Sequence, residues 1–190
     1  MTKDLSPAAD EPRTDIDAGA DPWAHLKRFT PARIALGRTG ASLPTRDVLG
    51  FSLAHAQARD AIHLPLDEAT LAEALVADGW PMPLRLRSRA HDRHTYLLRP
   101  DLGRRLDEPS VATLQAWRTD HPAPDLALVV GDGLSALGIQ RHVVPLMAAI
   151  RAALGGQLTL GPPVLVGQAR VAVADEVGEQ LGARMVAMIV

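Results

Sequence analysis

The residues best placed to hold an anion are Gly131-Asp-Gly-Leu-Ser-Ala136, which match the loose form G-x-G-x-x-G/A. They follow the aliphatic run Leu126–Val130 and lead into an amphipathic stretch from Leu134, so a strand is expected to turn directly into a helix. The first N–H groups of such a helix have no internal partner and face the turn, an arrangement that holds phosphates and nucleotides. Asp132 and Ser135 are the polar side chains at the junction and are candidate cofactor-binding residues. A dinucleotide fingerprint also needs an acid about 20 positions on, at the end of the next strand. Here the second aliphatic run ends in Val166-Gly-Gln-Ala-Arg170, and the first acid after it is Asp175. Three readings stay open: a tight turn without ligand, a dinucleotide, or another phosphate-bearing cofactor.

No other group of residues forms a complete catalytic set. His55 and His63 are eight residues apart, His91 and His94 lie on an arginine-rich segment that discourages metal binding, and no H-E-x-x-H string occurs. Ser135 lacks the flanks of a G-x-S-x-G nucleophile elbow and suits a helix cap better than a nucleophile. Asp175, Glu176 and Glu179 fall along one helix, where they favour its first turns against the dipole. The absence of cysteine removes disulfides, thiol nucleophiles and cysteine-ligated metals, and fits a reducing compartment. A chain that helps to build a site fits these observations better than one that performs chemistry unaided.

The elements that must position the turn follow from periodicity. Residues 1–22 are rich in Asp, Ala, Pro and Thr and read as a disordered tail. Residues 23–120 read as a mainly helical region: a docking segment at Trp23, Leu26 and Phe29, a helix of about five turns from Thr45, and a second over Asp67–Ala77. Leu84–Arg89 alternates leucine with arginine as an edge strand does, and Ser110 is expected to cap a helix through Trp117. Residues 121–190 read strand, helix, strand, helix, strand, with the first helix kinked or divided at Pro145. The expected fold is α/β, a Rossmann-like parallel sheet in the C-terminal half with its crevice at the carboxyl ends of the strands. Ala183–Val190 is apolar enough for the middle of that sheet, so the domain is read as truncated.

With 20 basic and 22 acidic residues, the chain has no electrostatic bias towards nucleic acid or an anionic membrane, and neither is expected as a partner. No run of about 18 apolar residues and no signal-peptide pattern occurs, so a cytoplasmic setting is expected.

From Leu26 to Val190 the sequence resembles the small (light) subunit of ethanolamine ammonia-lyase. The blocks that carry the likeness are Arg28–Arg38, Leu53–Asp60, Tyr96–Leu106, Val129–Ser135, and Arg170-Val171 with Gly178–Ala183. The resemblance implies an adenosylcobalamin-dependent lyase that converts ethanolamine to acetaldehyde and ammonia. A larger TIM-barrel subunit binds the substrate in such an enzyme, and the small subunit covers the cobalamin in a hetero-oligomer. By this resemblance Val171 matches a cobalamin-contacting position. The family's next contact follows in a Gly-Glu-Arg-Pro-Gly block that does not appear before Val190. No D-x-H-x-x-G string occurs, which implies base-on cobalamin binding, and Arg85–Arg105 is a candidate surface for the large subunit. The resemblance also implies entry into a bacterial microcompartment through the partner in some bacteria. A stand-alone Rossmann-like dinucleotide enzyme is the alternative, and a non-catalytic interaction module a third reading.

Overall fold

Four short strands form the sheet in a computed structural model that describes residues 21–190. The expected tail lies almost wholly outside those residues. The chain divides into two compact units, one ending at Ala56 and one spanning Gln57–Val190. In the first, Ala24–Phe29 is a 3-10 helix, and Arg33 donates to the Gly50 carbonyl at 2.7 Å. The division falls within α1 (Thr45–His63).

The second unit holds α2 (Glu68–Ala77), β1 (Leu84–Arg87), α3 (Arg93–Leu98), α4 (Glu108–Asp120), β2 (Leu126–Gly131), α5 (Ala136–Leu154), β3 (Val164–Gly167), α6 (Val173–Leu181) and β4 (Met185–Ile189). Its sheet is parallel throughout, in the order β1-β3-β2-β4. Alternate residues of each strand point to opposite faces, so an all-parallel sheet needs cover on both. Ala127, Val129, Val164 and Val166 pack with Leu114 of α4 and Val177 and Leu181 of α6. Leu128, Val130 and Leu165 pack on the other face with Leu71 and Leu75 of α2 and Ile139, Val143 and Met147 of α5.

The parallel α/β architecture matches the expectation, but the sheet is not confined to the C-terminal half. Leu84–Arg87, from the region read as mainly helical, pairs with Leu165 and its neighbours. Ala183–Val190 differs as well: β4 pairs only with β2, and among the described residues it is an edge strand rather than a central one. The two edges are treated differently. Along β1 the Asp107 N–H donates to the Arg87 carbonyl, and the Arg87 N–H donates to the Ser110 hydroxyl at 2.8 Å. Ser110 therefore closes a sheet edge instead of capping α4; Asp107 takes the cap by accepting from the Ser110 N–H at 2.9 Å. Pro145 lies inside one continuous helix, which is not divided there.

A clip at the amino ends of the strands sets one pH dependence. Asp125 accepts from the Thr159 N–H and hydroxyl at 3.0 and 2.7 Å and from Arg184 at 2.9 Å. The backbone and side-chain bonds from Thr159, then Arg184, lower its pKa from 3.8 to about 2. A carboxylate depressed by folding stabilises the native state fully above its unfolded pKa and loses that contribution as the pH falls through the folded one. Asp125→Asn is therefore expected to flatten the fall in melting temperature between about pH 4 and pH 2. An unchanged acid slope would refute the assignment.

Candidate functional site

Connectivity creates the crevice. α4 and α6 cover one face of the sheet and α5 the other, so the chain leaves the neighbouring strands β2 and β3 towards opposite faces. Their carboxyl ends, Gly131 and Gly167, thus flank a topological switch point, the place where open α/β sheets hold ligands.

Asp132 bridges the two sides. Its side chain is only 8% exposed, accepts from the Ala169 N–H at 2.9 Å, and lies 3.6 Å from Arg93. The carboxylate candidate from the sequence thus faces inward and ties the loop after β2 to the loop after β3. Ser135 sits at the N-cap of α5 and accepts from the Gly138 N–H at 3.3 Å, a geometry of helix initiation. Val171 lies where the β3 loop enters α6, with 61% of its surface exposed. Leu134 is another exposed apolar residue on the loop after β2. The structure brings Asp132 and the Val171 loop together through Ala169, and leaves Ser135 on the helix end beside them.

Around this bridge stand residues that sequence reasoning did not single out as site residues. Tyr96 of α3 is 1% exposed and donates its hydroxyl to the Ala169 carbonyl at 3.2 Å. The Cζ atoms of Arg93 and Arg170 lie 4.6 and 4.3 Å from its ring centroid, close enough for cation–π attraction. Burial raises the Tyr96 pKa against the opposing pull of Arg170, which keeps the phenol protonated as a donor. Gln168 adopts a left-handed φ of 55°, unusual for a residue with a side chain, and its carbonyl accepts from the Ser88 hydroxyl at 2.7 Å. Arg170 donates to the Tyr96 carbonyl at 3.0 Å, has a buried Nε without a partner, and forms no ion pair among the described residues. Arg93 is thus paired with the Asp132 carboxylate, whereas Arg170 rests on Tyr96 without an acidic partner among the described residues. One signal was available in the sequence: Tyr96 is the only tyrosine in a chain with 3% aromatic residues.

Two shallow pockets flank the first turns of α5. One, of about 340 Å³, is lined by Leu64, Asp67, Thr70, Leu137 and Gln140, and the Gln140 Oε1 is buried without a partner. The other, of about 260 Å³, lies among Ile139, His142, Leu146, Ile189 and Val190. β3 ends at Gly167 and Gln168 follows it, so the strand itself supplies no acid for a dinucleotide ribose. Among the described residues no three His, Asp or Glu side chains gather to hold a metal ion, and no helix is long and apolar enough to cross a membrane.

Comparison with known proteins gives consistent results. Residues 20–190 match the family model for the ethanolamine ammonia-lyase light chain (EutC). The chain is 57% identical over 173 residues to the ethanolamine ammonia-lyase small subunit of Pseudomonas putida, covering 90% of this chain and 63% of that protein. It is 56% identical over 172 residues to the small subunit of Ralstonia nicotianae, with 90% and 63% covered. The small subunit of Pseudomonas syringae pv. tomato is 50% identical over 187 residues, with 96% and 65% covered. The chain therefore spans just under two thirds of the length of these curated relatives.

Proposed function

Since the chain belongs to the family of ethanolamine ammonia-lyase light chains, we propose that its Gln57–Val190 unit forms the small-subunit side of an adenosylcobalamin site. The large subunit closes the other side and binds ethanolamine, which is converted to acetaldehyde and ammonia. The observation that carries this reading is the joining of the β2 and β3 loops by Asp132, with exposed Val171 on the same loop as Ala169.

The residues present fit a corrinoid. Val171 and Leu134 offer apolar contact to a broad ring, and the unpartnered Gln140 Oε1 can accept an N–H from the primary amides on a corrin rim. Arg170, which forms no ion pair among the described residues, suits the phosphodiester of a nucleotide tail. When bound, adenosylcobalamin supplies the radical needed to abstract hydrogen from substrate. This chain's residues bind and orient: Val171 makes the apolar contact, Asp132 fixes the separation of the two loops, and Ser135 fixes the start of α5. None of them handles substrate in this reading. The assembled enzyme is cytoplasmic in this reading, and in bacteria that encapsulate it the partner carries it into the microcompartment.

Reconstitution tests the proposal. The full-length chain is combined with its large subunit, adenosylcobalamin and ethanolamine, and acetaldehyde is measured. Omission of the small subunit is expected to abolish turnover, and undiminished turnover would overturn the reading. Val171→Glu places a charge against the ring and is expected to weaken adenosylcobalamin binding by about tenfold or more. Equal affinity in an equilibrium titration would remove Val171 from the site.

A further inference from the structure

Arg93 opens α3, distant in sequence from both loops of the crevice, yet its guanidinium meets each of them. One terminal nitrogen donates to the Gly133 carbonyl at 2.8 Å in the turn after β2. The other donates to the Gln168 side-chain carbonyl at 3.4 Å in the loop after β3 and lies 3.6 Å from the Asp132 carboxylate. The Nε donates to the Ile62 carbonyl near the end of α1, and the cation rests against Tyr96. Its side chain is only 15% exposed.

We infer that Arg93 is a positioning residue for the corrinoid crevice, a fork that sets the gap between the turn at Gly133 and the loop that carries Val171. The inference rests on the cobalamin reading above. A planar guanidinium has several donors in fixed directions and can hold separate carbonyls and a carboxylate at once, whereas a lysine ammonium is a point charge on a flexible stem. Arg93 also neutralises Asp132, whose other oxygen holds the Ala169 N–H. Its removal leaves a buried carboxylate uncompensated and frees two loops whose separation defines the crevice. The left-handed Gln168 gives a second reason for a clamp, because a strained residue keeps its conformation only where its neighbours over-determine it.

The test uses the full-length chain assembled with its large subunit. Adenosylcobalamin is titrated by absorbance, and kcat is measured at saturating cofactor. Arg93→Ala is expected to raise the cofactor Kd about 10- to 100-fold, corresponding to lost charge-assisted hydrogen bonds, while kcat at saturation changes little. Millimolar guanidinium should recover part of the lost affinity, which a general loss of structure would not allow, and Arg93→Lys should fall between the two. An unchanged Kd, or a fall in kcat without a change in Kd, overturns the inference. Should Arg93→Ala fail to assemble, Gln168→Ala removes one arm of the fork and leaves Asp132 paired. A severalfold rise in Kd is then expected, and no rise overturns the inference. If the unsubstituted complex binds no corrinoid, both readings fail. If it binds and Arg93→Ala binds equally well, only the role of Arg93 fails.

Discussion

Tyr96→Ala is expected to destabilise the Gln57–Val190 unit by about 3–5 kcal/mol, in the range of other large-to-small aromatic truncations. For a domain of this size that corresponds to a fall in melting temperature of roughly 6–20 °C. The effect is large because the ring has several roles. It is fully buried, its hydroxyl holds the Ala169 carbonyl, and both Arg93 and Arg170 rest against its π face. Without the ring the two cations face a cavity in place of an aromatic quadrupole, and Ala169, which also donates to Asp132, loses a restraint. Tyr96→Phe keeps the stack and removes only the hydroxyl, so a cost of about 1 kcal/mol is expected. Denaturant unfolding of the two variants separates packing from hydrogen bonding. A Tyr96→Ala protein within about 1 kcal/mol of the parent would refute the packing role.

Gly133→Val should cost about 2–5 kcal/mol through two separable terms. The glycine has a φ of +48°, which an L-residue adopts at a penalty of about 1–2 kcal/mol and a β-branched one only as an outlier. A Cβ at this position would also overlap the Val190 Cγ2, adding about 1–3 kcal/mol of overpacking. Gly133→Ala combined with Val190→Ala relieves the overlap and keeps the backbone term. The double variant should therefore recover part of the stability lost by Gly133→Ala alone. The same turn gives its carbonyl to Arg93, so the loss of stability should be accompanied by weaker corrinoid binding. If Gly133→Val melts with the parent, neither the left-handed turn nor its contact with Val190 matters.

The strands were legible because Leu126–Val130 and Val164–Val166 are aliphatic runs too short for helices, and a parallel sheet buries both of their faces. The helix α5 was legible from its amphipathic repeat, but that repeat puts its start at Leu134; Ser135 is the N-cap and the helix begins at Ala136, a boundary that only the bond from Gly138 to Ser135 fixes. α3 escaped notice because Arg93–Leu98 is fewer than two turns long and shows no repeat. Ser110 misled for a related reason: a serine and the aspartate three residues before it are both good caps, and only the neighbouring Arg87 N–H decides between them. The glycine turn after β2 was legible from spacing, whereas Val171 was named by resemblance alone. The Arg93 fork was legible from neither, since its partners at Ile62, Asp132, Gly133 and Gln168 are adjacent only after β2 and β3 have aligned. Local patterns specify elements, whereas the clamp is a property of their register.

The strand order has a consequence for biosynthesis. β1 must wait for β3, and the bond from Ser88 to Gln168 that follows their pairing spans 80 residues. At a ribosomal pace of roughly 5–20 residues per second, the leucines of β1 stay without their neighbouring strand for about 4–16 s. β2 waits as well, since both of its neighbours, β3 and β4, follow it in the chain, and loop-closure entropy disfavours pairing over such separations. Arg85 and Arg87, alternating with the leucines of β1, place on the waiting strand the charges that discourage edge-to-edge aggregation.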